Sequence, residues 1–252
     1  MSVKEPASRR IQSVDRAVAL LRAVADAPGA TTLADLADQV GLNRSTAWRL
    51  LLTLEHHGLV ARDTATGGFL VGYEVGRLAL RGGSASLVRR VRPALTELAD
   101  QTGMAVVLAV PTATEPIAVD QVDSPGRPEP NMVGWGLPLH AAAAGKVWMA
   151  FLDQSERDEL LKRPLARFTS STLVDTRGLR RHLDEVRQTS IAIDREEWDA
   201  GWTAIATPII DDGAVVAMIS VMATTPRFTD AKLRTARRQI LAAAVAAAAS
   251  LR

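Results

Sequence analysis

Residues 31–71 read TTLADLADQVGLNRSTAWRLLLTLEHHGLVARDTATGGFLV, and their spacing decides the fold of the first third of the chain. Leu33, Leu36, Ala37 and Val40 recur three and four residues apart, which lays one apolar stripe along a helix of about two turns with Thr32 as its cap. The pattern breaks at Gly41. It resumes at Ala47, Leu50, Leu51 and Leu54, so the spacing predicts two helices meeting across a tight turn. After Gly58, Leu59–Arg62 and Phe69–Val71 read as strands around the Gly-bearing turn 63–68, a hairpin wing. Upstream, Val14, Ala17, Val18, Leu21 and Val24 share a helical face that Ser13 is placed to cap and Pro28-Gly29 to end. Three helices and a wing make a complete small domain, a winged helix-turn-helix.

The second helix of the turn carries the chemistry. Arg44, Ser45, Trp48 and Arg49 fall outside its apolar stripe and cluster toward its N-terminus, where a recognition helix presents side chains to base edges and phosphates. An arginine fork grips guanine O6 and N7 or a phosphate, and hydroxyls with free helix N–H groups take phosphate oxygens. The candidates for contact with double-stranded DNA are Thr32, Asn43, Arg44, Ser45, Thr46, Trp48 and Arg49, with Arg62 from the wing. Trp48 fits the core equally well. A Gly turn between amphipathic helices also occurs in domains that touch no DNA; the third helix and the wing are what favour the DNA reading.

Composition sets the outer bounds. At 252 residues the chain is long enough for two domains. Hydrophobic residues at 47%, charged residues at 23% and a formal net charge of +2 are ordinary, so only local clustering of arginines can mark a nucleic-acid surface. Without cysteine there is no disulfide framework and no thiolate metal site, which fits a cytoplasmic protein. Met1–Arg10 lacks the apolar run of a secretory signal and reads as a disordered tail, or as a basic arm reaching DNA. No stretch supplies the roughly 18 consecutive apolar residues of a membrane span.

The expected organisation is a tail over 1–10, the DNA-binding domain over 11–72, a linker helix over 73–86 and a second domain over 87–252. The linker runs into a Gly82-Gly83-Ser84 break, and Pro93 kinks or restarts the helix expected over 87–101. Strands are expected at 104–110, 117–122, 191–194, 203–210 and 215–221, the last two around an Asp211-Asp212-Gly213 turn. Helices are expected at 141–151, 155–161 and 176–188, with a last one from the Thr229 cap to 251. Strands interleaved with helices and ending in a hairpin argue for an α+β domain with an antiparallel sheet.

With these elements in place, three segments become recognisable. The winged helix, the run Gly136-Leu137-Pro138-Leu139-His140-Ala141-Ala142-Ala143-Ala144-Gly145-Lys146, and Asp194-Arg195-Glu196-Glu197 leading through Gly201 to Ala206-Thr207-Pro208-Ile209 together resemble the IclR family of bacterial transcriptional regulators. The resemblance covers nearly the whole chain from about Ser13. It implies a DNA-binding domain joined by a helix to a GAF-like effector domain, assembled as a homodimer or dimer of dimers on a near-palindromic operator. It implies no cofactor, and a small organic effector, an organic acid or aromatic compound. Carried over, the effector site comprises Ala143 and Ala144 at a helix start, Asp194, Trp202 and Ala204 on the following strand, and Ser220. Alanines there let a ligand approach the backbone, Asp194 and Ser220 orient it, and Trp135 and Trp202 supply an apolar wall. Met222 stands where some members carry a second serine and Ser190 where a glycine is usual, which points to a larger or more apolar effector. Trp48 also replaces a smaller aliphatic, so the operator is not legible from relatives.

Other chemistry is less well supported. Gly145-Lys146 lacks the earlier Gly and the following Ser or Thr of a phosphate loop. His56 and His57 are adjacent and diverge by about 100° on a helix, so no metal site is expected. His140, Asp194 and Ser220 lack the nucleophile-elbow glycines of a hydrolase, and no catalytic residue is assigned. Of Glu196 and Glu197, one is expected in solvent and one paired with a basic residue. The rival functions are a small-molecule enzyme whose winged helix makes protein contacts, and a DNA-binding protein whose second domain only assembles.

Overall fold

Ile11 stands before the first helix, α1 (Gln12–Asp26), and no side chain caps it. The helix starts ahead of Ser13, which lies inside its first turn, and it ends where Ala27, forced extended by the following Pro28, leaves helical geometry. Its buried residues are Leu20, Ala23 and Val24, while Val14 and Val18 are exposed. The covered stripe is therefore rotated from the expected one, because α1 packs on two helices through Leu20 rather than on one through Val18. These atoms belong to a computed structural model that describes residues 11–81, 83–112 and 114–252. The expected tail or arm, Met1–Arg10, lies outside the described residues.

In α2 (Leu33–Val40) the Thr32 hydroxyl accepts from the Asp35 amide, and Gly41 closes the helix in the left-handed region at φ 68°. In α3 (Arg44–His56) the Asn43 side chain accepts from the Thr46 amide at 2.8 Å. Leu36 and Ala37 of α2 and Ala47, Leu51 and Leu54 of α3 close one core with α1, Val60 and Phe69. β1 (Val60–Arg62) and β2 (Phe69–Val71) pair antiparallel as the wing, and a single bridge from Thr31 to Phe69 adds a third strand position. α4 (Tyr73–Arg81) follows.

The chain divides into two compact units between Ala85 and Ser86. Gly83 and Ser84, expected in a break, instead open α5 (Gly83–Thr102), which runs unbroken through Pro93. Pro93 is tolerated because it and Arg89, whose carbonyl loses its partner to the ring, lie on the exposed face while Val91, Leu95 and Leu98 are buried on the other.

The second unit is an antiparallel sheet between helices. Its strands are β3 (Ala105–Val110), β4 (Ile117–Val122), β5 (Ala192–Arg195), β6 (Trp202–Asp211) and β7 (Ala214–Thr224), in the order β4-β3-β7-β6-β5. The β6–β7 hairpin turns through Asp212 and Gly213, both at positive φ. Period-two alternation splits the sheet's side chains between two cores. Val106, Leu108, Ile205, Ile219 and Val221 join Val91, Leu95 and Leu98 of α5 and Ile240 of α9 (Asp230–Ala249), which Thr229 caps. Ala109, Ala192, Ala206 and Met218 join α6 (Ala143–Phe151), α7 (Gln154–Leu161) and α8 (Thr176–Thr189) on the other face. A single turn of 3-10 helix over Thr225–Arg227, not expected from the sequence, precedes α9. Among the described residues no helix is long and apolar enough to cross a membrane.

Candidate functional site

On α3 the division of faces is sharp. Ala47, Leu51 and Leu54 are buried, whereas Arg44, Ser45, Trp48 and Arg49 are exposed. The other candidates of this unit hold the surface in shape. Thr32 accepts from the Asp35 amide and donates to the Asp35 carboxylate, Asn43 takes the Thr46 amide and the Ser45 hydroxyl, and Thr46 is half-buried. Thr32 and Asn43 thus set where α2 and α3 begin. Arg62 is occupied too: its guanidinium bonds Glu55 at 3.1 Å and lies 4.5 Å from the Trp48 ring centroid and 4.8 Å from that of Phe69. This clamp joins the wing to α3. The wing arginine expected at the DNA is thus engaged by the stack and the ion pair, with its side chain one-third (33%) exposed. Arg44 and Arg49 remain the arginines of α3 that face solvent.

A second candidate site lies on the α6 face of the sheet, where alanines of β5 and β6 face α6. Register pairs Asp194 with Ala204 and Ala204 with Met222, so the three lie in one cross-strand row; in the next row Ala206 pairs with Ser220 and Ser220 with Val107. The alanines leave a hollow. Its outer part, a cavity of about 400 Å³, is bordered by Trp135, Asp194, Trp202, Ala204 and Met222, with Pro130, Asn131, Met132, Trp198, Asp199 and Thr203. A recess of about 40 Å³ shares Met132, Asp194, Trp198, Ala204 and Met222 with it and adds Ala143, Ala144 and Ser220. All eight residues marked from the resemblance thus border one or other of two adjoining hollows that share five lining residues. Sequence reading passed over Trp198 and Met132, which lie in a bend and a loop without periodicity.

The bend after β5 fixes Asp194. Its Oδ1 accepts the Glu197 amide at 2.7 Å, Glu196 sits at φ 58°, and the hydroxyls of Thr169 and Thr172 donate to the carbonyls of Glu196 and Glu197, each at 2.6 Å. Behind it Lys146 of α6, with 0% of its side chain exposed, donates to the Ile193 carbonyl at 2.6 Å and to the Glu197 carboxylate. Glu197 is thus the paired glutamate, and Glu196 is half-buried with no ion pair among the described residues. Burial lowers the Lys146 ammonium from its ordinary pKa, against the opposing pull of Glu197. Burial likewise pushes the Asp194 carboxyl up to about 6, opposed by the Glu197 amide and the Lys146 charge. His182 of α8 is lowered by burial and by Lys146.

Close approach explains one glycine in this site. A Cβ on Gly145 would stand 2.1 Å from the Pro138 carbonyl oxygen, so the turn before α6 lies directly on the helix. No side chain caps α6, and its first turn borders the recess at Ala143 and Ala144.

The His140 Nε2 lies 2.7 Å from the Ala166 carbonyl, and no hydrogen bond joins His140 to Ser220 or Asp194 among the described residues. The rings of His56 and His57 meet edge to face, and no group of His, Asp and Glu among the described residues is placed to hold a metal ion.

Comparison with known proteins covers both units. Residues 13–64 match the model of the IclR helix-turn-helix domain, and residues 83–249 match that of the bacterial transcriptional regulator IclR C-terminal domain. The HTH-type transcriptional regulator Rv1719 of Mycobacterium tuberculosis is 34% identical over 90% of this chain and 89% of its own. The transcriptional repressor IclR of Escherichia coli is 33% identical over 89% and 84%. The crystal structure of an IclR-type regulator from Silicibacter sp. TM1040 superposes with a TM-score of 0.86 at 27% identity, over 94% of this chain and 95% of that one.

Proposed function

We infer function from a premise that these matches establish: the chain belongs to the IclR family of bacterial transcriptional regulators, with a helix-turn-helix DNA-binding domain and a C-terminal effector domain. On that premise it is a ligand-responsive regulator. Two copies of α3 in a homodimer, or a dimer of dimers, enter successive major grooves of a near-palindromic operator, and a small organic metabolite occupies the hollow beside Asp194. The observation that carries the DNA half is the exposure of Arg44, Ser45, Trp48 and Arg49 on a helix whose opposite face is core. What supports the effector half is a cavity of about 400 Å³, within the size range of small-molecule sites, lined mainly by apolar and aromatic side chains with a few polar ones.

Of the two effector classes implied by the resemblance, an aromatic or otherwise apolar body suits three bordering tryptophans and two methionines. The effector alters DNA affinity only by the difference in its own affinity for the two arrangements of the dimer, and residues 72–86, which join the domains, carry that coupling. A gel-shift against the DNA flanking its own gene, repeated with candidate metabolites, tests both halves. The expected result is a salt-sensitive complex altered by one metabolite class. A complex of equal strength on unrelated DNA would overturn the operator reading, and a specific complex indifferent to every metabolite would overturn the effector reading.

A further inference from the structure

We propose that Trp48 reads thymine in the major groove, its indole resting on the 5-methyl group of one base in each half of the operator. This rests on the DNA reading above and adds a base to it. α3 shows two kinds of side chain to solvent. Arg44, Ser45 and Arg49 are polar, whereas Trp48 and, one turn further on, Leu52 are apolar and 37% and 41% exposed. Polar side chains find partners all over a duplex, in the phosphate oxygens and in the edge of every base pair. The apolar group that the major groove offers is the thymine methyl. An indole laid against any other base edge would cover polar atoms without giving them hydrogen bonds.

The indole is held ready for that contact. The Arg62 guanidinium packs on it at 4.5 Å from the ring centroid, and the Arg62 Nε donates to both Glu55 carboxylate oxygens, at 3.1 and 3.2 Å. Phe69, itself 1% exposed, meets Trp48 edge to face with the ring centroids 6.4 Å apart. The ring is thus braced from the wing and from the core of the domain, and ordering it on DNA costs little side-chain entropy. Its Nε1–H has no hydrogen-bond partner among the described residues. Thymine carries the O4 acceptor beside its methyl, a pair of groups that suits an apolar ring with a single donor. Cytosine puts an amino donor where thymine has O4 and lacks the methyl, so it opposes the indole on both counts.

The test is a gel-shift of the full chain at fixed salt against the DNA flanking its own gene, prepared once with thymidine and once with deoxyuridine throughout. Deoxyuridine keeps O4 and the base pairing and lacks only the methyl. The thymidine duplex is expected to bind about tenfold more tightly, from one methyl contact in each half-site. Trp48→Ala is expected to bind the two duplexes within about twofold of each other and to keep the wild-type slope of log K against log salt, because an indole neutralises no phosphate. Trp48→Phe, which leaves an aromatic ring beside Arg62 and Phe69, is expected to retain part of the preference. A second readout needs no variant and decides the matter even if Trp48→Ala does not fold. With 5-bromodeoxyuridine in place of thymidine, the bromine standing where the methyl was, ultraviolet crosslinking is expected to label the peptide that contains Trp48. An equal loss on deoxyuridine DNA for the wild type and Trp48→Ala, no loss for the wild type, or a crosslink confined to other residues overturns the proposal. In those cases a specific complex still forms on thymidine DNA, and the operator reading stands. If the thymidine duplex is bound no better than unrelated DNA, the operator reading fails and the thymine assignment falls with it.

Discussion

The Arg62 guanidinium packs on both Trp48 and Phe69, 4.5 and 4.8 Å from their ring centroids, so the wing and α3 are held together by a stacked cation. Arg62→Ala removes the stack and the ion pair to Glu55 together. A loss of about 1 kcal/mol in the stability of the N-terminal domain is expected, read by urea unfolding, with the salt dependence of operator binding nearly unchanged. A salt slope that falls by the amount one phosphate accounts for would instead make Arg62 a direct DNA ligand.

Arg44 and Arg49 act differently because solvent, not protein, surrounds them. Replacing either by alanine is expected to weaken operator binding about tenfold, and an arginine that neutralises one phosphate takes about one unit off the slope of log K against log salt when it is removed. The domain's melting temperature should not move. Unchanged affinity at matched salt would show that another face of the domain meets DNA.

Lys146 has no exposed surface, and it holds both the Ile193 carbonyl and the Glu197 carboxylate. Lys146→Met leaves that carboxylate half-buried without a partner, and a loss of about 3 kcal/mol is expected. Adding Glu197→Leu should recover much of it, because a buried ion pair replaced as a unit by apolar side chains is often neutral. If the double variant is less stable than the single one, the pair is not the source of the loss.

Asp194 makes stability depend on pH in a direction opposite to a salt-bridged carboxylate. Its carboxyl titrates at about 6 in the fold against 3.8 in the ordinary case, so between these values the folded chain holds a proton that the unfolded chain has released. Stability from this group is therefore present below about pH 4 and is lost as pH rises through about 6, a contribution of roughly 3 kcal/mol. Lys146 on α6 and Glu197 and Asp199 on the bend are the charged groups around it. Asp194→Asn is expected to remove this fall, read as denaturant melts at intervals between about pH 4 and 7. Parallel pH profiles for the two proteins would show that Asp194 is ionised throughout.

The winged helix was legible because its signals are local. Thr32, Gly41 and Asn43 fix helix ends by capping geometry, and the Ala47–Leu51–Leu54 stripe needs only its own period. Ser13 misled because helix starts are set by packing as much as by caps, and α1 begins ahead of it. Val14 and Val18 misled because several faces of a short helix are apolar and only the tertiary partner selects one. In the second domain the resemblance brought Ala143, Asp194 and Ser220 together, but strand order and register did not follow from sequence, and register is what aligns Asp194, Ala204 and Met222 in one row. Lys146 offered a signal that was not used: an ammonium inside Ala142–Ala150 must be buried and therefore needs a partner far along the chain.

The row from Asp194 through Ala204 to Met222 also makes the hollow adjustable. Ala204 and Met222 oppose one another on paired strands of a sheet whose far face is a separate core. Volume can therefore be moved from one to the other without disturbing that core. Enlarging position 204 while trimming position 222 would relocate the empty space and leave the backbone alone, which makes this pair a compact starting point for reshaping the hollow.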